Sequence, residues 1–189
     1  STGRREVVPD GAEFAAIDIT DEAGICEFWR DFRPDVVNHH AAQADVRLSV
    51  EDPAFDAGVN ITGTLHVLTS SIEAGVHRVI QASTGGAIYG EPERLPAAET
   101  DPPRPLSFYG TSKYCIEHYL GTFRRLENLS YTVLRYANVY GPGQRVDGEA
   151  GVVAIFAGQM LRDQRPTIFG SGDKTRDYVY VEDVVRANM

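Results

Sequence analysis

The chain is poor in cysteine, has almost no lysine and contains no long apolar run. Its 189 residues hold two cysteines, Cys26 and Cys115, too few for a disulfide framework or a cysteine-based zinc site. A reducing cytoplasm is the simplest setting for such a pair. No apolar stretch approaches the roughly 18 residues needed to cross a bilayer, and no signal-peptide pattern opens the chain. A net charge of -9, from 27 acidic and 18 basic residues, argues against a nucleic-acid or anionic-membrane surface, because neutralising phosphates needs clustered Lys and Arg. What remains is an apolar fraction of 42% with 10% aromatics, enough for a packed core and incompatible with disorder or a collagen-like chain. The length fits one domain or slightly more.

Short β-branched runs alternate with segments of helical period. Strands are predicted over Pro34–Ala42, His77–Thr84 and Tyr131–Ala137. They lack clean in-out alternation, as strands covered on both faces do. Between the first two, Asp52 is placed to cap a helix with Pro53 at its first position. Ile61, Leu65, Leu68 and Ile72 make its apolar stripe, and Gly75 stops it. A second helix is predicted over Ser107–Leu126, with Ile116, Leu120 and Phe123 on one stripe. This alternation predicts an α/β fold with a parallel, doubly wound sheet. The stretch Glu91–Pro105 carries five of the ten prolines and no periodicity, so it reads as a long loop over a pocket. After Gly141 come a loop, a short helix near Val152–Leu161 and a strand-like Pro166–Phe169. A helix begins at Val181 and the chain stops after about two turns; with the polar opening Ser1-Thr-Gly-Arg-Arg, this reads as a fragment of a longer protein.

The chemistry concentrates on Tyr109 and Lys113. Four residues apart on a helix, they point the same way, and their face continues into the buried stripe through Ile116 and Leu120. With nine tyrosines and only two lysines (Lys113 and Lys174) among 18 basic residues, about 0.1 such pairs are expected by chance. A phenol titrating near about 10 is a poor base at neutral pH, and an ammonium about 5 Å away is expected to draw it down by about two units. Such a tyrosine can take and return an alcohol proton. Ser83 and Thr84, at the carboxyl end of a predicted strand, supply a hydroxyl where open α/β sheets bind ligands. The plain alternative is a packed Tyr beside a Lys whose stem reaches water.

Four segments, Ser83-Thr-Gly-Gly-Ala-Ile-Tyr-Gly90, Tyr109-Gly-Thr-Ser-Lys113, Leu134-Arg-Tyr-Ala-Asn-Val-Tyr-Gly-Pro142 and Thr175-Arg-Asp-Tyr-Val-Tyr-Val-Glu-Asp183, resemble in order and spacing those of the extended short-chain dehydrogenase/reductase family. Within it the chain is similar to the UDP-glucose 4-epimerases. The resemblance implies a Rossmann-like domain over residues 1–140, incomplete at its N-terminus, and part of a small nucleotide-sugar-binding lobe over 141–189. It makes Tyr109 the acid/base, has Lys113 lower its pKa and bind the nicotinamide ribose, and makes Thr84 the hydroxyl partner. One departure stands out: counted back from Tyr89, the usual Ser/Thr position falls on Gly85. NAD contacts are implied for Asp18 and Ile19 at adenine, for Ala41, Ala42 and Gln43 in the loop beneath the cofactor, and for Asn60, Ser83 and Tyr136. Substrate contacts are implied for Thr84 and Tyr109, for Asn138 at the pyrophosphate, and for Arg176 at the nucleotide phosphates. Other readings stay open: Asp18 as a turn cap before Thr20, Asn60 as a solvated helix residue, and Arg176 in a surface salt bridge with Asp173 or Asp177. His39 and His40 lack a partner at metal-ligand spacing, so no metal is expected.

The implied reaction is inversion at C4 of a UDP-hexose by transient hydride transfer to NAD through a 4-keto sugar. A homodimer built through the two helices also follows from the resemblance. The rivals are a nucleotide-sugar 4,6-dehydratase or decarboxylase and a non-catalytic nucleotide-binding protein on the same sheet. The 4,6-dehydratases use an Asp-Glu pair after the catalytic Thr, where this chain has Gly85 and Gly86. The glycine-rich turn that cradles a dinucleotide pyrophosphate does not occur in these 189 residues. The isolated 189-residue chain is therefore expected to bind NAD poorly or not at all in calorimetry. Micromolar affinity would overturn the fragment reading.

Overall fold

The computed structural model describes residues 5–145 and 151–189. Ser1–Arg4 of the expected opening loop and residues 146–150 of the loop after Gly141 lie outside the described residues. Helix α1 (Glu22–Phe32) starts where Asp21 accepts from the Gly24 amide at 3.0 Å. Strand β1 (Val36–His39) follows, then α2 (Val46–Glu51) and α3 (Pro53–Ala57). As expected, Asp52 caps α3, its carboxylate accepting from Phe55 N at 2.9 Å, with Pro53 in the first turn. The helix then widens into a π turn over Gly58–Gly63 before α4 (Thr64–Glu73). Next come β2 (Arg78–Thr84), the short α5 (Gly85–Ile88), the long α6 (Phe108–Leu126) and β3 (Ser130–Tyr136). Ser107 caps α6 through Gly110 N at 3.1 Å.

Strands β1, β2 and β3 pair in parallel, in that order. β2 is central and the most buried, while β3 is half-buried except at the exposed Thr132. The core joins Ile25 of α1, Val67 and Leu68 of α4, and Ile116 and Leu120 of α6 over Val79 of β2. Of the stripe expected on the helix before β2, only Leu68 is fully buried. Ile61, Leu65 and Ile72 are half-buried. The π turn sets Ile61 off from α4, whose inward face carries Thr64, Val67, Leu68 and Ser71. Thr64 and Ser71 take inward positions, with Ser71 Oγ accepting from Trp29 Nε1 at 3.2 Å and donating to Val67 O at 2.6 Å.

Beyond Ala137 the chain leaves this sheet. β4 (Asn138–Tyr140) pairs in parallel with β5 (Tyr178–Tyr180), with α7 (Val152–Met160) between them in sequence and α8 (Val181–Asn188) after. The expected strand at Pro166–Phe169 is irregular instead. Phe169 is 88% exposed, and among the described residues no ladder partner takes up this backbone. The loop Glu91–Pro105 is ordered by Arg94–Asp101 and Arg104–Glu93 pairs at 2.9 and 3.3 Å. It closes where Arg104 N donates to Ile88 O, against Gly90, whose φ of 61° and close approach to Arg104 O exclude a side chain.

Leu120 lies fully buried where α6 meets the sheet. Replacing it with Ala is expected to cost about 3 kcal/mol of unfolding free energy, read from chemical denaturation with an unchanged m-value.

Candidate active site

The carboxyl ends of β1, β2 and β3 lead into the loop at Ala41–Gln43, the turn at Thr84–Gly86 and the segment at Tyr136–Asn138. The first turns of α6 reach this edge. Gly110 makes the approach possible, since a Cβ there would stand 2.7 Å from Ala87 O. Tyr109 and Lys113 project from α6 on one face, with the ammonium 5.9 Å from the phenol ring centroid. Lys113 is only 6% exposed, Tyr109 is half-buried, and Lys113 Nζ donates to Ala82 O at 3.2 Å. An ammonium has three N–H donors, so two stay available for a ligand's hydroxyls.

Below the pair lies Asp56, which is 0% exposed. Its Oδ1 accepts from Gln43 Nε2 at 3.0 Å and Asn60 Nδ2 at 2.9 Å, and its Oδ2 from Ser112 Oγ at 2.7 Å. Asn60 also clamps the backbone of Gln43, accepting from its N–H and donating to its C=O, each at 2.9 Å. Asn60 and Gln43, both assigned to the cofactor by resemblance, are thus buried and bonded to each other and to Asp56.

The electrostatics of the pair depart from expectation. Tyr109 lies above its ordinary pKa, chiefly through burial and secondarily through the negative charge of Asp56. Lys113 falls to about 8 because burial disfavours its charge, while Asp56 pulls it back up. Attraction at a fixed distance predicts a lowered phenol. Desolvation and the neighbouring carboxylate outweigh it, and the ammonium sits against the ring face.

Ser83 does not present its hydroxyl to the same edge. It donates to Glu117 Oε1 at 2.7 Å, and Glu117 holds Arg135 in a two-pronged pair with Nε contacts of 3.0 and 3.2 Å. Arg135 also donates to the Tyr89 hydroxyl at 2.6 Å. Thr84 begins α5 without using its side chain as a cap, which leaves it as the hydroxyl at the strand end.

The other assigned residues have varied settings. Asp18 is exposed and spends Oδ1 on Thr20, accepting from its N–H at 2.9 Å and its hydroxyl at 2.7 Å; the backbone bond first and the hydroxyl second hold its pKa low. That is the turn-cap reading. Ile19 packs under Gly63, and its carbonyl lies 3.2 Å from His66 Nδ1. Ala41 and Ala42 leave the loop edge free of long side chains. Tyr136 donates to Asn188 Oδ1 at 2.9 Å and stacks on His40 at 5.9 Å. Asn138, assigned to a substrate pyrophosphate, donates Nδ2 to Asp177 O at 2.9 Å, across the β4–β5 pairing. Arg176 is exposed and donates to Thr175 O at 2.8 Å. Sequence reasoning passed over Asp56, Glu117 and Arg135. The four-residue spacing of Asp56 and Asn60 was a usable signal for the first, and none was visible for the Glu117–Arg135 pair.

All 189 residues match the NAD dependent epimerase/dehydratase family. The chain belongs to that family. It is 44% identical over 192 residues to UDP-glucose 4-epimerase of Mycolicibacterium smegmatis, covering 99% of this chain and 61% of the relative. Among solved structures it is similar to the UDP-glucose 4-epimerase of Thermotoga maritima with UDP-glucose, at 52% identity and a TM-score of 0.96, covering 100% of this chain and 61% of that one. The Thermus thermophilus UDP-glucose 4-epimerase complex with NAD gives 49% identity and a TM-score of 0.92, covering 99% and 62%. The chain thus spans about three fifths of the length of these relatives.

His39, 5% exposed with Nε2 3.0 Å from Thr64 Oγ1, lies behind the pair. Its pKa drops from the ordinary 6.5 to about 4 through burial, the Lys113 charge and His40, in that order. The folded chain therefore binds fewer protons than the unfolded chain between pH 6.5 and 4, so stability present above 6.5 is lost as pH falls. The loss reaches about 3 kcal/mol below pH 4. A His39→Gln variant is expected to flatten this part of the stability-versus-pH curve from urea titrations.

Proposed function

We propose that the full-length protein is an NAD-dependent UDP-sugar 4-epimerase interconverting UDP-glucose and UDP-galactose. The observation that carries this reading is the inward-facing Tyr109–Lys113 pair on α6 beside the uncommitted Thr84 hydroxyl, in a chain of this family. The names of the similar proteins support it. Bound NAD supplies a reversible hydride acceptor for the sugar C4. The residues present suit that ligand: Lys113 has spare donors for ribose hydroxyls, the small side chains of Ala41, Ala42, Gly85 and Gly86 leave room along the strand ends, and Asn60 fixes the backbone of the loop at Gln43. Asp18 and Ile19 are assigned to the adenine edge, and Ser83 and Tyr136 act behind the contact surface through Glu117 and Asn188.

In this reading Tyr109 takes the proton from the substrate O4 and returns it, and Thr84 holds the same oxygen. Lys113 keeps positive charge next to the phenol when the proton leaves. The lobe from residue 141 onward, with Asn138 and Arg176 at its edge, holds the UDP end. Gly85 and Gly86 offer no acid to protonate a leaving hydroxyl, which disfavours 4,6-dehydration. A homodimer would use the outward faces of the helices, at Thr69, His118 and Tyr119, because Ile116 and Leu120 are consumed by the core. No helix among the described residues is long and apolar enough to cross a membrane.

The full-length protein is expected to convert UDP-galactose to UDP-glucose. Tyr109→Phe should lower kcat by about 10² to 10⁴ with little change in UDP-sugar binding. A 4-keto-6-deoxy product, or full turnover by Tyr109→Phe, would overturn the proposal.

A further inference from the structure

Asp56 is a fully buried carboxylate beside the site, and none of the roles assigned above uses it. A carboxylate without solvent contact must be hydrogen-bonded or neutralised. Three side chains from separate parts of the chain are committed to it: Gln43, Asn60 and Ser112. All three bonds donate toward the carboxylate oxygens. Ser112 is the residue before Lys113, so the cage places a negative charge under the helical turn that carries the buried ammonium. Lys113 itself donates to a neutral carbonyl, that of Ala82.

The charged surroundings of Lys113 are few. On α6 the neighbours are Tyr109 and, one turn on, Glu117, which Arg135 of β3 neutralises. β1 contributes His39, and α3 contributes Asp56. The π turn and α5 bring no titratable side chain, and Arg47 and Glu51 of α2 are exposed. Asp56 is therefore the anion of this neighbourhood that has no cationic contact partner of its own among the described residues.

We infer that Asp56 is a positioning residue that acts through Lys113, a buried counter-charge that keeps the ammonium protonated inside the protein and thereby sets the pH range in which the Tyr109–Lys113 pair works. Its influence on both members has the same sign: it favours the ammonium, and it disfavours the phenolate. Removing the charge lowers both titrations together. An epimerase that needs Lys113 protonated and Tyr109 able to lose its proton would then have both limbs of its pH profile moved toward acid. A packing defect would reduce the height of the profile and leave the limbs in place.

The inference rests on the proposed function only for its kinetic arm, so the test has two arms. In the full-length protein, ¹³Cε-lysine NMR follows the titration of Lys113, assigned by the resonance lost in Lys113→Arg. Asp56→Asn, with Asp56→Ser as a second neutral variant less crowded in the cage, is expected to lower that titration by about one unit or more. Ser112→Ala, which removes a bond and keeps the charge, should leave it close to wild type. In the kinetic arm, the profile of kcat/KM against pH for UDP-galactose moves to lower pH at both limbs in the neutral variants. An unchanged Lys113 titration in a folded Asp56 variant overturns the inference, as does loss of amplitude with unmoved limbs. A shifted titration in a protein that does not interconvert the UDP-sugars sinks the proposed function and leaves the counter-charge standing.

Discussion

Burial of one ammonium constrains the rest of this structure. Lys113 lies inside the protein with a single backbone acceptor, and every element around it is arranged so that a charge can survive there. The helix that carries it approaches α5 closely only because residue 110 is glycine. The carboxylate of Asp56 requires donors on three sides, and those donors come from a loop, a π turn and α6 itself. The same Asn60 that serves Asp56 clamps both backbone groups of Gln43. One buried hub therefore sets the loop after β1 and the face of α6 in a fixed relation, though neither touches the other in sequence.

A second network holds α6 one turn further along. Glu117 grips Arg135 on β3 and accepts from Ser83 on β2, while Arg135 reaches Tyr89 beyond α5. The paired guanidinium stays well above its ordinary range, chiefly because of its hydrogen bonds to Glu117. Such partly buried pairs add little net stability, since desolvation offsets most of the attraction, but leaving one partner alone is costly. Their effect is geometric. With Ser112 tied to α3 and Glu117 tied to the sheet, α6 cannot rotate or slide without breaking one set of bonds, and Tyr109 inherits that rigidity. Committing Ser83 to Glu117 also leaves Thr84 as the hydroxyl at the end of β2, although the motif count pointed one residue further on.

The parts legible in the sequence are those set by local pattern. Asp52 with Pro53, the long helix beginning near Ser107, the three parallel strands and the four-residue spacing of Tyr109 and Lys113 all follow from chemistry within a few positions. What escaped depends on distant partners. Asp56 reads as an ordinary helix carboxylate until Gln43 and Ser112, 13 and 56 residues away, are seen to donate to it. The π turn has no signature in a period-3.6 count, and the inward face of α4 takes small polar residues, Thr64 and Ser71, that a count of apolar positions passes over. The direction of the Tyr109 shift was missed because a charge-charge separation leaves out burial, which is the larger effect here. Pro166–Phe169 has strand-like composition, but composition does not supply a neighbouring ladder.

The far side of the site obeys a different rule, in which backbone pairing does what side chains do near Lys113. The amide of Asn138 is committed to Asp177 O, so the segment bearing Arg176 is drawn to the end of β3 by the β4–β5 ladder. From β5 the chain turns directly into α8, whose last residue, Asn188, accepts from the Tyr136 hydroxyl and lies 3.3 Å from His40 Nε2. His40 directly precedes the loop that Asn60 clamps. A displacement of α8 would thus reach that loop through His40, and the same movement would reach β3 through Tyr136. The loop at Gln43 and the end of β3 are in this way held in register by one short helix, without any contact between Arg176 and the Tyr109–Lys113 pair being required.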